Sequence, residues 1–568
     1  MACGPRRGTI RALPAYLDGV PYNPRTVTGR PPVVVDYESF QEPPTALFRD
    51  YLKGEPRVRP FHENGWDPEA LVGSAERSLA LARPRRAVAD ALIAQQQQRG
   101  GSAAAERAAL LGDERAAAVV TGQQAVLFGG PLFVLYKAMA ALKLAAFLET
   151  KAGRPVVPVF WSASEDHDFA EVRSVAILDE SGRIRTLRYE PVREPVGQPA
   201  SRIVLDETIG GLVAEAERCL PAGIHRDEVL GLVARCYRPG STLAGAFAHL
   251  ISSLVPGLVV LDPSDAALKA AMVPVLSREV REASPTSRLA AQAGDRLLAA
   301  GYHQQVPIRP GFLNLFLMME GERRALGTAN GFVEVRGLGR KIPVTEAVRM
   351  LESDPGPWSP GVLLRPLAQD QILPTAAYIG GPAEIAYHAQ IGPSYAHFGI
   401  PRPVLVPRPS VTLIEPAQAR ALEAEGLELW DLQADPEVVA LRWAREAHPR
   451  VEAAFARTRE AVEREMAEVE EALAGLDPTL RAAADSARGR VLHQIESLHE
   501  KSVRALKKRD QSRADRLRRT RDALLPGGSF QERGLGLISL LARYGTAVIG
   551  EIGERVDLWA KGHQVIQL

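Results

Sequence analysis

Apolar runs alternate with polar, glycine-containing turns through most of the chain, and their spacing predicts its elements. Residues 67–115 are rich in Ala, Leu, Arg and Gln, interrupted at Arg83-Pro84 and at the Arg99–Ser102 turn, and predict helices. A short apolar run then ends in the polar turn "TGQQ" (Thr121–Gln124). After Gly129-Gly130-Pro131 a helix is predicted up to Gly153. A Val-rich run, "RPVVPVFW" (Arg154–Trp161), ends in turn in "SASEDHD" (Ser162–Asp168). Strand, turn, helix and strand in this order predict an α/β fold with a Rossmann-like parallel sheet. Ligands of such sheets lie outside the carboxyl ends of the strands, where both polar turns fall.

This core, residues 31–173, is interrupted twice. Residues 174–250 mix a β ribbon (Val175–Val192) with helices and read as a connecting insertion. Residues 251–265 restore a buried strand running into a polar turn. Residues 266–360 form a second insertion, helical to Ala300 and strand-like around Gln305–Val333, before the last part of the core, 361–415. From 416 to 545 the pattern changes. Phe455, Val462, Met466, Val469, Leu473 and Leu476 follow heptad steps, Pro478 permits a reversal, and a second long helix carries Val491, Ile495 and Leu498 on one stripe. An antiparallel coiled-coil arm is predicted. Residues 546–568 should pack back on the body, and residues 1–30 read as a loosely ordered extension.

Composition narrows the classes. Sixty-nine basic against 68 acidic residues give a net charge of +1, so no global field points to nucleic acid or a membrane. The ten basic residues of Lys501–Arg521 face an acidic stretch, Glu452–Asp477, and read as a solvated coiled-coil face. Three cysteines, Cys3, Cys219 and Cys236, make neither a disulfide framework nor a zinc knuckle, and a reducing cytoplasm is expected. There is no G-x-x-x-x-G-K-[ST] and no full G-x-G-x-x-G, so a P-loop or dinucleotide site is unsupported.

Five segments in order carry a family resemblance: "TGQQAVLFGGPLFVLYKA", "FWSASEDHDFAEV", "GLVVLDPSDAALK", Leu363–Glu415 and "LLPGGSFQER". Together they resemble the cysteine-adding enzyme family of bacillithiol biosynthesis, from Val33 to the C-terminus. The chain departs from the family pattern at Val126 and His388. The resemblance implies a Rossmann-like core with connecting insertions and a dimerising coiled coil. It implies a ligase that joins L-cysteine to glucosaminyl-malate through an amide bond. Because amide synthesis from a free carboxylate is uphill in water, activation as an adenylate or acyl phosphate is expected, with ATP or ADP as a candidate and no cofactor assigned. The resemblance also implies a nucleotide near the arm, around Ser410 and Gln531.

Within that frame His167 is expected as general base, with Asp166 or Asp168 orienting its ring. The same cluster also reads as a seat for substrate amines, as a helix cap with salt bridges, or, least well, as a metal site, since adjacent residues rarely all face one ion. No metal is assigned. Gly129 and Gly130 would allow close backbone approach, or simply make a tight turn. Gln123, Gln124, Ser164 and Glu165 are substrate-binding candidates. Arg365 and Gln369, at i and i+4, would address a malate carboxylate, with a buried structural arginine as the equal alternative. Tyr378, Gly381, Glu384 and Tyr387 complete the set, with capping of a helix N-terminus as the competing role for Glu384. A different class of protein, a coiled-coil scaffold with a degenerate nucleotidyl-transferase-like core, would leave Gln123, Asp166 and His167 dispersed or buried.

Overall fold

A computed structural model describes residues 31–63, 65–509 and 511–568, so the expected extension 1–30 lies outside the described residues. The described residues divide into two compact units, those up to Ile414 together with Ser529–Leu568, and Glu415–Gly528.

The first unit is built on five strands, β1 (Ala117–Gln123), β2 (Val156–Ser162), β3 (Val259–Leu261), β4 (Thr375–Gly380) and β5 (Val404–Pro407). All neighbours are parallel, in the order β5-β4-β1-β2-β3. Their near-continuous apolar runs follow from burial on both faces: Ala117–Val120 and Val156–Val157 are fully buried. Chain direction across the sheet reverses between β1 and β4, because β1 leads toward β2 and β3 while β4 leads toward β5. That is the switch point at which a doubly wound sheet opens a crevice.

Three helices frame the crevice: α1 (Leu132–Ala152), α2 (Arg365–Ile372) and α3 (Pro382–Phe398). α1 is apolar on most of its surface and ends at Gly153, whose φ of 60° is the left-handed conformation of a helix C-terminus. The first insertion carries the expected ribbon, Ser174–Leu178 paired with Ile184–Arg188. The second holds more strand than its sequence predicts. Phe312–Met319, Glu322–Ala329, Phe332–Val335, Arg340–Pro343 and Trp358–Pro360 make one antiparallel sheet reaching the end of the insertion.

The C-terminal segment is strongly tied to this unit. His563–Gln567 lies between Val33–Val35 and Val411–Ile414 in a three-stranded sheet. The Leu132 N–H donates to the Leu535 carbonyl, and the Leu537 and Gly536 N–H groups to those of Gly130 and Ala176. The sequence pattern extends the arm to 545; the compact unit stops at Gly528, because residues 529–545 find their backbone partners in the core.

In the second unit, Pro449–Ala474 and Pro478–Arg509 run antiparallel, as the pairs Glu452–His499, Arg459–Glu496 and Glu470–Arg488 require. The heptad seam is only partly used within the chain. Phe455 packs against His499 with the rings tilted, but Val469 and Leu476 are exposed, as are Val491 and Leu498 on the second helix. Among the described residues no helix is long and apolar enough to cross a membrane.

Candidate active site

The carboxyl ends of β1 and β4 open into a cleft of about 470 Å³ in the first unit. β1 ends in Gly122-Gln123, and a side chain at Gly122 would place its Cβ 2.9 Å from the Trp161 carbonyl oxygen, so only glycine lets β1 and β2 lie this close here.

The cleft floor is organised by a lysine inside an apolar helix. Lys137 of α1 is almost completely buried, and its ammonium donates to the Gly122 carbonyl (2.8 Å) and to Gln123 Oε1 (3.1 Å) while pairing with Glu384 at 2.5 Å. All three ammonium protons are thereby used. With Gln123 Oε1 occupied, the Gln123 amide nitrogen is its remaining polar group. Glu384 sits in the first turn of α3 and accepts from the Gly381 N–H (2.7 Å) and the Tyr378 hydroxyl (2.5 Å). Burial alone would raise the Glu384 carboxyl, but Lys137, the Gly381 N–H and Tyr378 outweigh it and hold the group below the ordinary carboxylate range. Burial, reinforced by Glu384, pushes the Tyr378 phenol up, so it remains a donor. The capping and cleft-lining roles of Glu384 coexist.

Arg365 lies beside this floor. Its guanidinium donates to Gln369 Oε1 (3.0 Å), the Tyr387 hydroxyl (2.9 Å) and the Tyr378 hydroxyl (3.4 Å), and lies 5.9 Å from the centre of the Trp161 ring. All of these partners are neutral; among the described residues Arg365 has no carboxylate within ion-pair distance. Gln369 is buried and holds Arg365 from behind rather than lining the cleft.

The acidic motif divides in three. Gln124 Nε2, at the cleft, donates to Asp166 Oδ2 (2.7 Å) and Glu171 Oε2 (2.8 Å), placing two carboxylates on one neutral amide. Asp168 caps the short helix Phe169–Val172 by accepting from the Glu171 N–H, and Asp166 Oδ1 accepts from the Asp168 N–H. Ser164 and Glu165 turn inward. Ser164 donates to Asp262 at 2.5 Å, and Glu165 pairs with the fully buried Lys269, which also donates to the Trp358 carbonyl. These two candidates join β2 to its neighbours instead of facing the cleft.

His167 points toward the second insertion. Arg323, stacked 3.7 Å from the centre of Phe316, donates to His167 Nδ1 at 3.2 Å, and the Asp166 carboxylate is 3.9 Å from the same nitrogen. Burial, and next the Arg323 charge, hold the imidazole below its ordinary value. An arginine can only donate, so the neutral ring accepts at Nδ1 and carries its proton on Nε2. In this arrangement His167 offers a donor, not the free acceptor that a general base requires. Gln123 and Gln124 thus line the cleft, Asp166 is reached through Gln124, and His167 stands behind it.

Gly129 and Gly130 do not open backbone to a ligand. Both have positive φ, and a Cβ at Gly129 would lie 2.6 Å from Leu537 Cδ2 and one at Gly130 2.9 Å from Val126 Cβ. They make room for packing. The groups expected to hold a nucleotide are also occupied: buried Ser410 bonds Glu532 and His563, and buried Gln531 bonds both the N–H and the carbonyl of Leu413. Neither side chain fits a nucleotide site as it stands. Among the described residues, no three His, Cys, Asp or Glu side chains are grouped to hold a metal ion.

Sequence reasoning missed Lys137, Arg408 and Arg533 of the cleft. Lys137 had a readable signal, a single cation in the apolar stretch "LFVLYKAMAAL". Arg408 pairs with Glu532 at 2.6 Å, both nearly inaccessible, and no local pattern links them.

Comparison with known proteins agrees with this architecture. Residues 34–409 match the model of the bacillithiol biosynthesis BshC N-terminal Rossmann-like domain, and residues 411–568 that of the BshC C-terminal coiled-coil domain. The protein named "Putative cysteine ligase BshC" from Salinibacter ruber is 32% identical over 549 residues, covering 94% of this chain and all of that protein. Proteins of the same name from Koribacter versatilis and Chlorobaculum tepidum are 34% and 33% identical, each over 79% of this chain and 83% and 82% of their own lengths. With both domain models matched in order around this cleft, the chain belongs to the BshC family of bacillithiol biosynthesis.

Proposed function

We propose that this chain is the ligase that joins L-cysteine to glucosaminyl-malate. The observation that carries the reading is the charge division of the cleft: Arg365 with only neutral partners on one side, and Asp166 and Glu171 gathered on Gln124 on the other. A guanidinium without a counter-ion suits a substrate carboxylate, and paired carboxylates suit an amine. Arg365 holds a malate carboxylate, while the glucosamine nitrogen lies against Glu171, with Asp166 behind it on the shared Gln124 amide. That nitrogen attacks the carboxyl carbon of cysteine, activated beforehand as an adenylate or acyl phosphate. The C–N bond forms, the bond to the leaving phosphate or AMP breaks, and the amine proton passes to Glu171, which lines the cleft. His167 is a positioning residue, held by Arg323 beside Asp166. Burial pushes the Tyr378 and Tyr387 phenols up, so they remain neutral around Arg365 well into alkaline pH.

The assembly is a homodimer through the arm. The apolar stripe Val491, Ile495 and Leu498, with its outer residues exposed in the single chain, supports this, since a second copy would cover it. The reducing cytoplasm is the setting, in keeping with two free cysteines, Cys219 and Cys236.

Deleting the gene tests the function. Bacillithiol should disappear and glucosaminyl-malate accumulate, with recovery by the wild-type gene and none by Arg365→Gln. A deletion strain with normal bacillithiol refutes the assignment.

A further inference from the structure

The cleft carries a second cation without a counter-ion. Lys137, Arg365, Arg408 and Arg533 contribute to its wall, and among the described residues only two carboxylates, Glu384 and Glu532, pair with any of them. Lys137 belongs to Glu384 and Arg408 to Glu532. Arg365 is held by neutral groups, as described above. Arg533 differs from all three: its side chain makes no hydrogen bond or ion pair among the described residues, although it lines the cleft.

Its position is nevertheless firmly set. Gln531 and Glu532, the two residues before it, are buried and bonded to the Ser410–Leu413 segment: Gln531 to both backbone groups of Leu413, Glu532 to the Val411 N–H (2.6 Å), the Ser410 hydroxyl (3.0 Å) and Arg408. Leu535, Gly536 and Leu537 after it are bonded to Leu132, Ala176 and Gly130. A Cβ at Gly536 would lie 2.3 Å from Val175 Cγ2, so the backbone runs as close to the ribbon as glycine permits. A segment anchored on both sides presents one cationic side chain. Burial and the neighbouring Arg408 charge act against the Arg533 cation, Glu532 and Tyr37 offset them only in part, and an arriving anion would relieve the remaining cost.

We propose that Arg533 is a second anion-binding residue of the cleft, seating a carboxylate or phosphoryl group of a substrate whose partner group is held at Arg365. The planar guanidinium suits either group in a bidentate manner. The proposal rests on the reading of the cleft as the substrate site of the ligation. It adds that the recognised ligands carry two anionic groups, and that the segment following the arm supplies one of the contacts.

The test is calorimetric titration of the full-length protein with L-malate, inorganic phosphate and ATP, each separately and without cysteine. Wild type, Arg533→Gln, Arg533→Lys and Arg365→Gln are compared after circular dichroism has verified equal folding. At least one of the three anions should bind wild type, with affinity lost by about fivefold or more in Arg533→Gln, about 1 kcal/mol by the usual conversion, and only partly kept in Arg533→Lys, which retains the charge but not the bidentate fork. An effect on malate alone identifies the carboxylate as the group; an effect on phosphate or ATP identifies the phosphoryl. The proposal is overturned if none of the three binds wild type below roughly 10 mM, a free energy of about −2.7 kcal/mol, or if every anion that binds does so in Arg533→Gln within about fivefold of wild type. Because binding is read without turnover, a wrong ligase assignment would appear in the gene deletion and leave this result standing.

Discussion

Replacing Lys137 by methionine tests how the cleft floor is held. The Lys137 side chain is 2% exposed and that of Glu384 19%, with 2.5 Å between the charged atoms. Removing the ammonium leaves a buried carboxylate with only the Gly381 N–H and the Tyr378 hydroxyl, and it strips a donor from the Gly122 carbonyl and Gln123. Breaking a buried pair from one side costs about 3–5 kcal/mol, and the two remaining donors on Glu384 place the expected loss near ~3 kcal/mol. The double variant Lys137→Met/Glu384→Gln removes both charges and should cost less than the single one, a coupling of about 2 kcal/mol or more.

The assay is urea unfolding read by hydrogen exchange in peptides from 117–123 and 382–398, so that the transition belongs to this unit rather than to the arm. The pH dependence has a defined sign. Because the Glu384 carboxyl is held below its unfolded value, its stabilisation is fully present above the ordinary carboxylate range and is lost as pH falls through the lowered folded value. Without Lys137 that acid limb should move to higher pH. A loss below about 1 kcal/mol in Lys137→Met, or a double variant as damaging as the sum of the singles, would refute the reasoning.

Gln124→Ala should lower kcat/KM for the amine substrate by about 10–100-fold, the value of a charge-assisted hydrogen bond, measured by product formation at varied amine concentration. The His167 imidazole should titrate below its ordinary range in an NMR pH series and move upward in Arg323→Met, which removes the opposing charge. Gly536→Ala should destabilise the first unit by about 1–3 kcal/mol through overpacking on Val175. Gly210→Ala, in a helix with nothing within 4 Å of the new Cβ, should instead be neutral or stabilising by up to ~1 kcal/mol; thermal melts of the two variants provide the check.

The second insertion and the arm show where sequence patterns lose resolution. Phe312–Met319 and Glu322–Ala329 lie in an antiparallel sheet whose far strands, Arg340–Pro343 and Trp358–Pro360, are too short to announce themselves. In the arm the heptad seam is legible and its Phe455 packs on His499 of the second helix, yet Val469 and Leu476 of the same seam are left exposed, because a heptad states a period and not which helix covers it. In the acidic motif the residue types were visible, but their directions were not. Glu165 pairs inward with Lys269, Asp166 faces Gln124 and His167 faces Arg323, since consecutive residues in an irregular turn follow neither helical nor strand alternation.

By itself the sequence determined the buried strands, the glycine turns that end them, the interrupted α/β core, the helical arm and the family. Each depends on solvation and backbone geometry over a few residues, or on motifs read in order. Only the tertiary structure decided that Lys137 meets Glu384, that Arg408 meets Glu532, and that Arg533 enters the cleft without a partner. The ion pairs join residues distant in the chain, and a charge's partner is set by where folding brings it, which no local period records.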